Sequence, residues 1–299
     1  MVNLVIFGTV ALDSLETPFG KANSVLGGSA SYASIAASFF TKPGIVSIIG
    51  KDFPKEHIDF FNKKGIDTSG IIVGEKTFRW QGYYEYDMNE AKTIKTELNS
   101  LESYKVKVPE SYKNAKYLFL GNMDPGLQLE VINQIKKPDF VIMDTMNFWI
   151  QQKKEQLLKT IKKADILVFN DGEARQLFNT PNLVKAANEA LKLVSKAVII
   201  KKGEHGALLF CDKKHFSAPS YPMESLKDPT GCGDSFGGAL AGYLAKTKDL
   251  SEKNIRKAVI YGSVVASFNA EDFSIGRLKQ ITNKDLEKRY NEFKAIREF

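Results

Sequence analysis

The chain has 299 residues, 43% apolar and 26% charged, an ordinary globular composition for a protein long enough to bury a core without covalent staples. Two cysteines, Cys211 and Cys232, exclude a disulfide framework and point to a reducing, cytoplasmic home. The net charge of +7 is spread along the chain rather than clustered, which speaks for a solvated lysine-rich surface and against a nucleic-acid partner.

Residues 2–8 read as a short apolar strand ending in glycine, with neither the basic stretch nor the long apolar core of a signal peptide. Further along, no apolar run approaches the ~18 residues that span a membrane. Residues 29–40, rich in alanine and large apolar side chains, read as a buried helix. A strand over 45–49 follows, then a helix over 53–64 stopped by Gly65. Residues 77–87 break the rhythm. Phe78, Trp80, Tyr84 and Tyr86 alternate with Arg79, Gln81, Glu85 and Asp87, the pattern of a half-exposed antiparallel strand, and residues 92–98 are its expected partner. Such an inserted small sheet suits a lid over a pocket or a subunit contact. Strands are then expected at 117–120, 140–143, 166–169, 197–201 and 207–211, with helices between most of them. Short apolar runs separated by helices predict a parallel sheet covered on both faces, the doubly wound α/β class.

The most informative stretch is residues 227–246, KDPTGCGDSFGGALAGYLAK. A polar turn, Asp228-Pro229-Thr230, leads into Gly231-Cys232-Gly233-Asp234 and then a helical pattern with Phe236, Leu240 and Leu244 on one face. Glycines let the backbone approach a ligand, and the first turn of a helix offers unpaired N–H groups and the positive end of its dipole. Gly231, Cys232 and Gly233 therefore form a candidate anion hole for a phosphate. A carboxylate in that position repels an anion unless it has a task, and the task that fits Asp234 is taking the proton of an alcohol that attacks phosphorus. Asp is also a common helix cap, but a cap does not require glycines on both sides.

Two other motifs are excluded here. Gly233-Asp234-Ser235-Phe236-Gly237 matches the G-x-S-x-G elbow of serine hydrolases, which needs a preceding strand and a later histidine. His57, His205 and His215 all precede Ser235. No GxxxxGK[ST] loop occurs, and the histidines and cysteines show no metal-ligand spacing.

With DPTGCGD on the page, the chain resembles the ribokinase-like (PfkB) carbohydrate kinases over nearly its whole length. The segment is similar to the family signature D-T-x-G-A-G-D, with Cys232 where alanine is usual. Gly8 to Asp13 (GTVALD) resembles the end of the first strand, and the resemblance implies that Asp13 binds sugar hydroxyls. Leu26-Gly27-Gly28-Ser29-Ala30-Ser31-Tyr32 resembles the substrate-side Gly-Gly motif, with Tyr32 where many relatives have asparagine. Asp144-Thr145-Met146-Asn147 resembles a D-x-N element, placing Asp144 and Asn147 on the substrate side, and Arg79 of the lid strand is a further candidate contact. Asn170-Asp171-Gly172-Glu173 matches N-x-x-E, which implies that Glu173 orients Mg²⁺ through water. Read alone, the same residues suit a helix capping box. Lys201-Lys202-Gly203 resembles the turn that touches the nucleotide, so Asn170, Glu173, Lys201 and Gly203 are expected around ATP. Some relatives hold a monovalent cation near the signature, which makes Asp228 and Thr230 candidate K⁺ ligands.

The resemblance implies a three-layer α/β/α ribokinase-like fold with a central, mostly parallel sheet. It implies one kinase domain over 1–299, with a small β-sheet lid from inserted segments at about 12–25 and 70–100. The expected activity is ATP- and Mg²⁺-dependent phosphorylation of a hydroxyl on a sugar or sugar-like substrate, with Asp234 as base and the 231–233 amides as anion hole. A nucleoside kinase is the alternative within the family, since Tyr32 and the aromatic lid could stack a base. A non-catalytic sugar-phosphate sensor is the alternative outside it. A homodimer through the lid is a further expectation.

Overall fold

The computed structural model describes residues 2–211 and 214–296. The first strands are β1 (Leu4–Phe7), β2 (Ala11–Thr17) and β3 (Gly20–Gly27), followed by α1 (Ser29–Ser38), β4 (Pro43–Gly50), α2 (Lys55–Lys63) and β5 (Asp67–Gly74). Then come β6 (Phe78–Tyr83), β7 (Lys92–Glu97), β8 (Tyr117–Leu120), α3 (Pro125–Gln134), β9 (Phe140–Asp144), α4 (Asn147–Gln152) and α5 (Lys154–Ile161). The last part holds β10 (Ile166–Asn170), α6 (Asp171–Phe178), α7 (Leu183–Leu191), β11 (Ala197–Lys201), β12 (Ala207–Cys211), β13 (Lys214–Ala218), α8 (Cys232–Thr247), α9 (Glu252–Asn269) and α10 (Asn283–Ala295).

Nine strands form one sheet in the order β13-β12-β11-β10-β9-β8-β1-β4-β5. Pairing is parallel from β5 through β11 and antiparallel at β11–β12 and β12–β13. Its central strands are buried along their whole length, as their unbroken apolar runs require. One apolar cluster packs α1, α8 and α9 on one face, and a second packs α3, α5, α6 and α7 on the other, giving the three-layer α/β/α architecture.

A separate four-stranded sheet has the order β3-β2-β6-β7. The expected segment 70–100 supplies it only from Phe78 onward, because Asp67–Gly74 pairs with β4 as the edge of the large sheet. The strand expected over 77–87 also needs correction. It ends at Tyr83 and pairs parallel with β2 and antiparallel with β7. A register shift at Gln81/Gly82 breaks the alternation, and a Cβ at Gly82 would lie 2.3 Å from the Trp80 ring. Beyond the break the chain leaves the sheet, so Tyr86 is 91% exposed.

α1 and α8 fix the geometry of the site. A Cβ on Gly238 would meet the Ala33 carbonyl at 2.1 Å, and one on Gly242 would meet the Ala37 backbone at 2.8 Å. Both contacts advance by four residues in the same sense, so the two helices lie backbone to backbone and point the same way. Their N-termini therefore open at one end of the molecule, where β9, β10 and β11 also end.

Candidate active site

At the C-terminal ends of neighbouring strands stand Asp144, Asn170 and Lys201, the place where open parallel sheets bind ligands. Asn170 and Lys201 are cross-strand partners. The Lys201 Nζ lies 2.7 Å from Asp144 Oδ2 in a largely buried ion pair. The same ammonium would sit 3.1 Å from a Cβ on Gly233, so the strand ends touch the start of α8. Burial pulls the lysine pKa down, but Asp144 and Glu173 outweigh it and hold the ammonium protonated.

Glu173 and Asn170 form the capping box of α6: Asn170 N–H donates to Glu173 Oε2 (2.6 Å) and Glu173 N–H to Asn170 Oδ1 (2.7 Å). The box leaves the Glu173 carboxyl facing Lys201, Asp144 and Asp234. Burial raises its pKa to about 8, with Asp144 adding to the shift and Lys201 opposing it. Three acids thus share one lysine. Such an excess of negative charge suits a divalent ion that keeps most of its waters and is shared with substrate phosphates. Among the described residues no cluster offers an all-protein cage.

Gly231 takes the left-handed conformation, φ +76°, as the N-cap of α8. The turn directs the Cys232 N–H onto the Pro229 carbonyl at 3.1 Å, so Cys232, expected to complete the anion hole, does not present its amide. The N–H groups of Gly231, Gly233 and Asp234 have no acceptor among the described residues and are the amides left to receive an anion. The Cys232 thiol faces Asn269 (Sγ to Nδ2 3.5 Å), and burial pushes its pKa up to about 12, so it stays a neutral thiol. Asp234, half-buried in the first turn, is raised to about 7 by burial and by Asp144, with Lys201 pulling the other way. Ser235 is buried and bonded to Asn269, which removes the hydrolase reading on geometry as well.

On the acceptor side, Asp13 sits in β2 of the small sheet, 4% exposed. A Cβ on Gly27 would lie 1.8 Å from its Oδ2, so only glycine leaves room for the carboxyl. Gly28, at φ +92°, donates its N–H to Asp13, while Asp13 Oδ1 is buried without a partner. Burial raises the Asp13 pKa to about 8, and Asp228 and Asp234 add to the shift. Tyr32 is 1% exposed, its ring flat against Gly231, where a Cβ would lie 2.4 Å away. Its hydroxyl is a second buried group without a partner.

The remaining expected residues are placed as follows. Arg79 is committed to Asp52 (2.9 Å) and Ser24 (3.1 Å). Asn147 is exposed at the start of α4. The Asp228 oxygens accept the N–H groups of Thr230 (2.9 Å) and Ser274 (3.2 Å), and the Thr230 carbonyl accepts from Asn269 (2.7 Å), so the expected K⁺ ligands already serve protein donors.

Beside Lys201 and Gly203, itself at φ +53°, opens a cleft of about 600 Å³. Its walls include Tyr221, Met223 and Leu226 from the segment before the signature, Ala266 of α9 and Ala270 just past its end. Sequence reasoning missed these apolar residues, which carry no motif. It also missed Asn269, and it read Tyr84 only as an aromatic of the lid strand, whereas the Tyr84 hydroxyl meets Thr230 Oγ1 at 3.2 Å. Residues 86–89 of the small sheet's loop reach the same cleft, and Asn89 Nδ2 donates to Glu204 at 3.3 Å.

The family model for pfkB carbohydrate kinases matches residues 13–279. A cytidine kinase of Thermococcus kodakarensis is 30% identical over 250 residues, covering 81% of this chain and 89% of that one. The nucleoside kinase of Methanocaldococcus jannaschii shares the fold with a TM-score of 0.79 at 21% identity, over 97% of this chain and 99% of that one. A ribokinase-type protein of E. coli solved with ATP and Mg²⁺ superposes with a TM-score of 0.76 at 18% identity, over 98% and 99%.

Proposed function

Because this chain belongs to the pfkB family of carbohydrate kinases, we propose that it phosphorylates the sugar moiety of a nucleoside with ATP. The observation that carries the phosphotransfer is Asp234. Its carboxyl has a pKa near 7, beside free amides at the N-terminus of α8 and across from the Lys201 ammonium. The cytidine kinase and nucleoside kinase relatives favour a nucleoside acceptor. One observation favours a free sugar instead: the Tyr32 ring, expected to stack a base, is covered by Gly231. A sensor without catalysis has no use for the base and hole together.

In the mechanism, the triphosphate lies along the cleft with its γ-phosphoryl group at the Gly231, Gly233 and Asp234 amides. The acceptor hydroxyl is held by the free Asp13 Oδ1 and faces Asp234. Asp234 takes the hydroxyl proton as the O–P bond forms in line with the departing ADP oxygen. The amides, the helix terminus and Lys201 stabilise charge on the transferring group, where losing one donor costs about 10²–10³-fold. Glu173 and its neighbouring carboxylates suit the water shell of Mg²⁺, which supplies charge neutralisation on the phosphates when bound. The small sheet acts as the lid: Asp13 and Tyr32 are buried beneath it, so an acceptor enters when it opens and water is excluded when it closes. The exposed Phe19 of the β2–β3 turn and Ile94 of β7 support the homodimer, which light scattering checks.

A coupled ADP-release assay with Mg²⁺ against nucleosides, sugars and sugar acids tests the reading. A nucleoside hit is expected, and Asp234→Asn should retain ATP binding while losing about 10²–10⁴-fold in kcat. A free-sugar hit replaces the acceptor class. Turnover by the variant close to wild type removes Asp234 from the base role.

A further inference from the structure

A second cavity, of about 310 Å³, lies away from the donor cleft between β13, α9 and α10. Three cations converge on it, Arg256 and Lys257 from α9 and Lys294 from α10. Among the described residues no carboxylate lines it. Glu252 pairs with Arg256 from one turn back, while Lys257 and Lys294 have no carboxylate partner among the described residues. Two of the cations lie over aromatic walls: the half-buried Arg256 guanidinium is 5.1 Å from the Phe216 ring centroid, and the ammonium of the exposed Lys294 is 5.1 Å from that of Tyr290. Tyr290 is braced from behind by Tyr261 (4.4 Å, 13°). Cationic heads held over rings around a small cavity suit a ligand with a compact dianion and a flat apolar part. With Arg256 already paired to Glu252, a monoanion leaves one of the two remaining cations unmatched.

The cavity shares a wall with the donor cleft. Ile260 lines it, and Ser263, one turn further along α9, lines the cleft. Phe293 of α10 lines it too, and its ring packs on Tyr221 of the cleft (5.7 Å). We infer that this cavity is an effector site for a small phosphomonoester carried on a ring, and that its occupancy braces α9 and α10 against Tyr221 and tightens ATP binding. The site uses none of the residues assigned to phosphoryl transfer.

Phenyl phosphate is the probe, titrated calorimetrically into the full chain saturated with Mg²⁺ and a non-hydrolysable ATP analogue, with phenol and inorganic phosphate as separate arms. One phenyl phosphate per chain is expected, bound at least tenfold more weakly by the Lys257→Gln/Lys294→Gln double variant. In turnover, the probe should lower the KM for ATP at least threefold in the wild type and not in the variant, whose kcat without probe stays at the wild-type value. Absence of binding, or equal binding by the variant, overturns the site. Phenol binding as tightly as phenyl phosphate overturns the anion, and inorganic phosphate doing so overturns the ring. Binding that leaves the KM unchanged overturns the coupling.

Discussion

Asp234 must be ionised to take a proton, and its pKa is held near 7. The fraction in the base form therefore rises with pH through neutrality, and kcat/KM for the acceptor should show an acidic limb close to pH 7. Lys201 pulls that pKa down, so Lys201→Met should move the limb to higher pH as well as lowering kcat, read from pH–rate profiles of the two proteins. Asp13 shows the same physics acting on stability. Its folded pKa of about 8 lies above the ordinary carboxylate value, so the folded state binds the extra proton between roughly pH 4 and pH 8. Its contribution is present at low pH and lost as pH rises through the folded value. Asp13→Asn should raise the melting temperature at pH 8 by about 2–5 °C and weaken the acceptor KM at least tenfold. Asp234 was legible in the sequence, because a charged residue among phosphate-binding glycines asks for a reason; Asp13, a polar residue after a strand, was marked only by the family resemblance. The loss of the Cys232 amide was not legible, since it depends on the Gly231 dihedral and the resulting turn onto Pro229. Asn269 was hidden because it lies a whole helix downstream of the carbonyl it clamps.

Gly238 and Gly242 let α8 lie directly on α1, and this contact sets where the two N-termini stand relative to each other. Gly238→Val pushes a branched side chain into the Ala33 carbonyl. It should destabilise the protein by about 1–3 kcal/mol in chemical denaturation and lower kcat in the surviving fold, with Gly238→Ala falling between. The parallel strands were readable because burial on both faces leaves unbroken apolar runs, as in Ile166–Asn170 with its buried first four residues. β3 was expected only through the lid segment 12–25 that the resemblance implied and not from its own pattern, because Lys21, Asn23 and Ser24 face solvent in a sheet with little buried face. The overshoot of β6 has the opposite cause: aromatic alternation continued past Gly82, where the backbone had already changed register.

Across the whole molecule the small sheet touches both halves of the reaction. Its strand β2 carries Asp13, and its loop places Asn89 on Glu204 beside the donor cleft. Removing that contact with Asn89→Ala should raise the KM for ATP about 2–10-fold and leave the acceptor KM unchanged, as steady-state kinetics at saturating partner will show. The double role also bears on idling. On the proposed function, water is a hydroxyl compound that would meet Asp234 but brings no second hydroxyl to the unpartnered Asp13 Oδ1. On that reading the buried carboxyl with an unpaired oxygen would serve as a guard on ATP, favouring its cleavage when the compound that is to receive the phosphate has arrived.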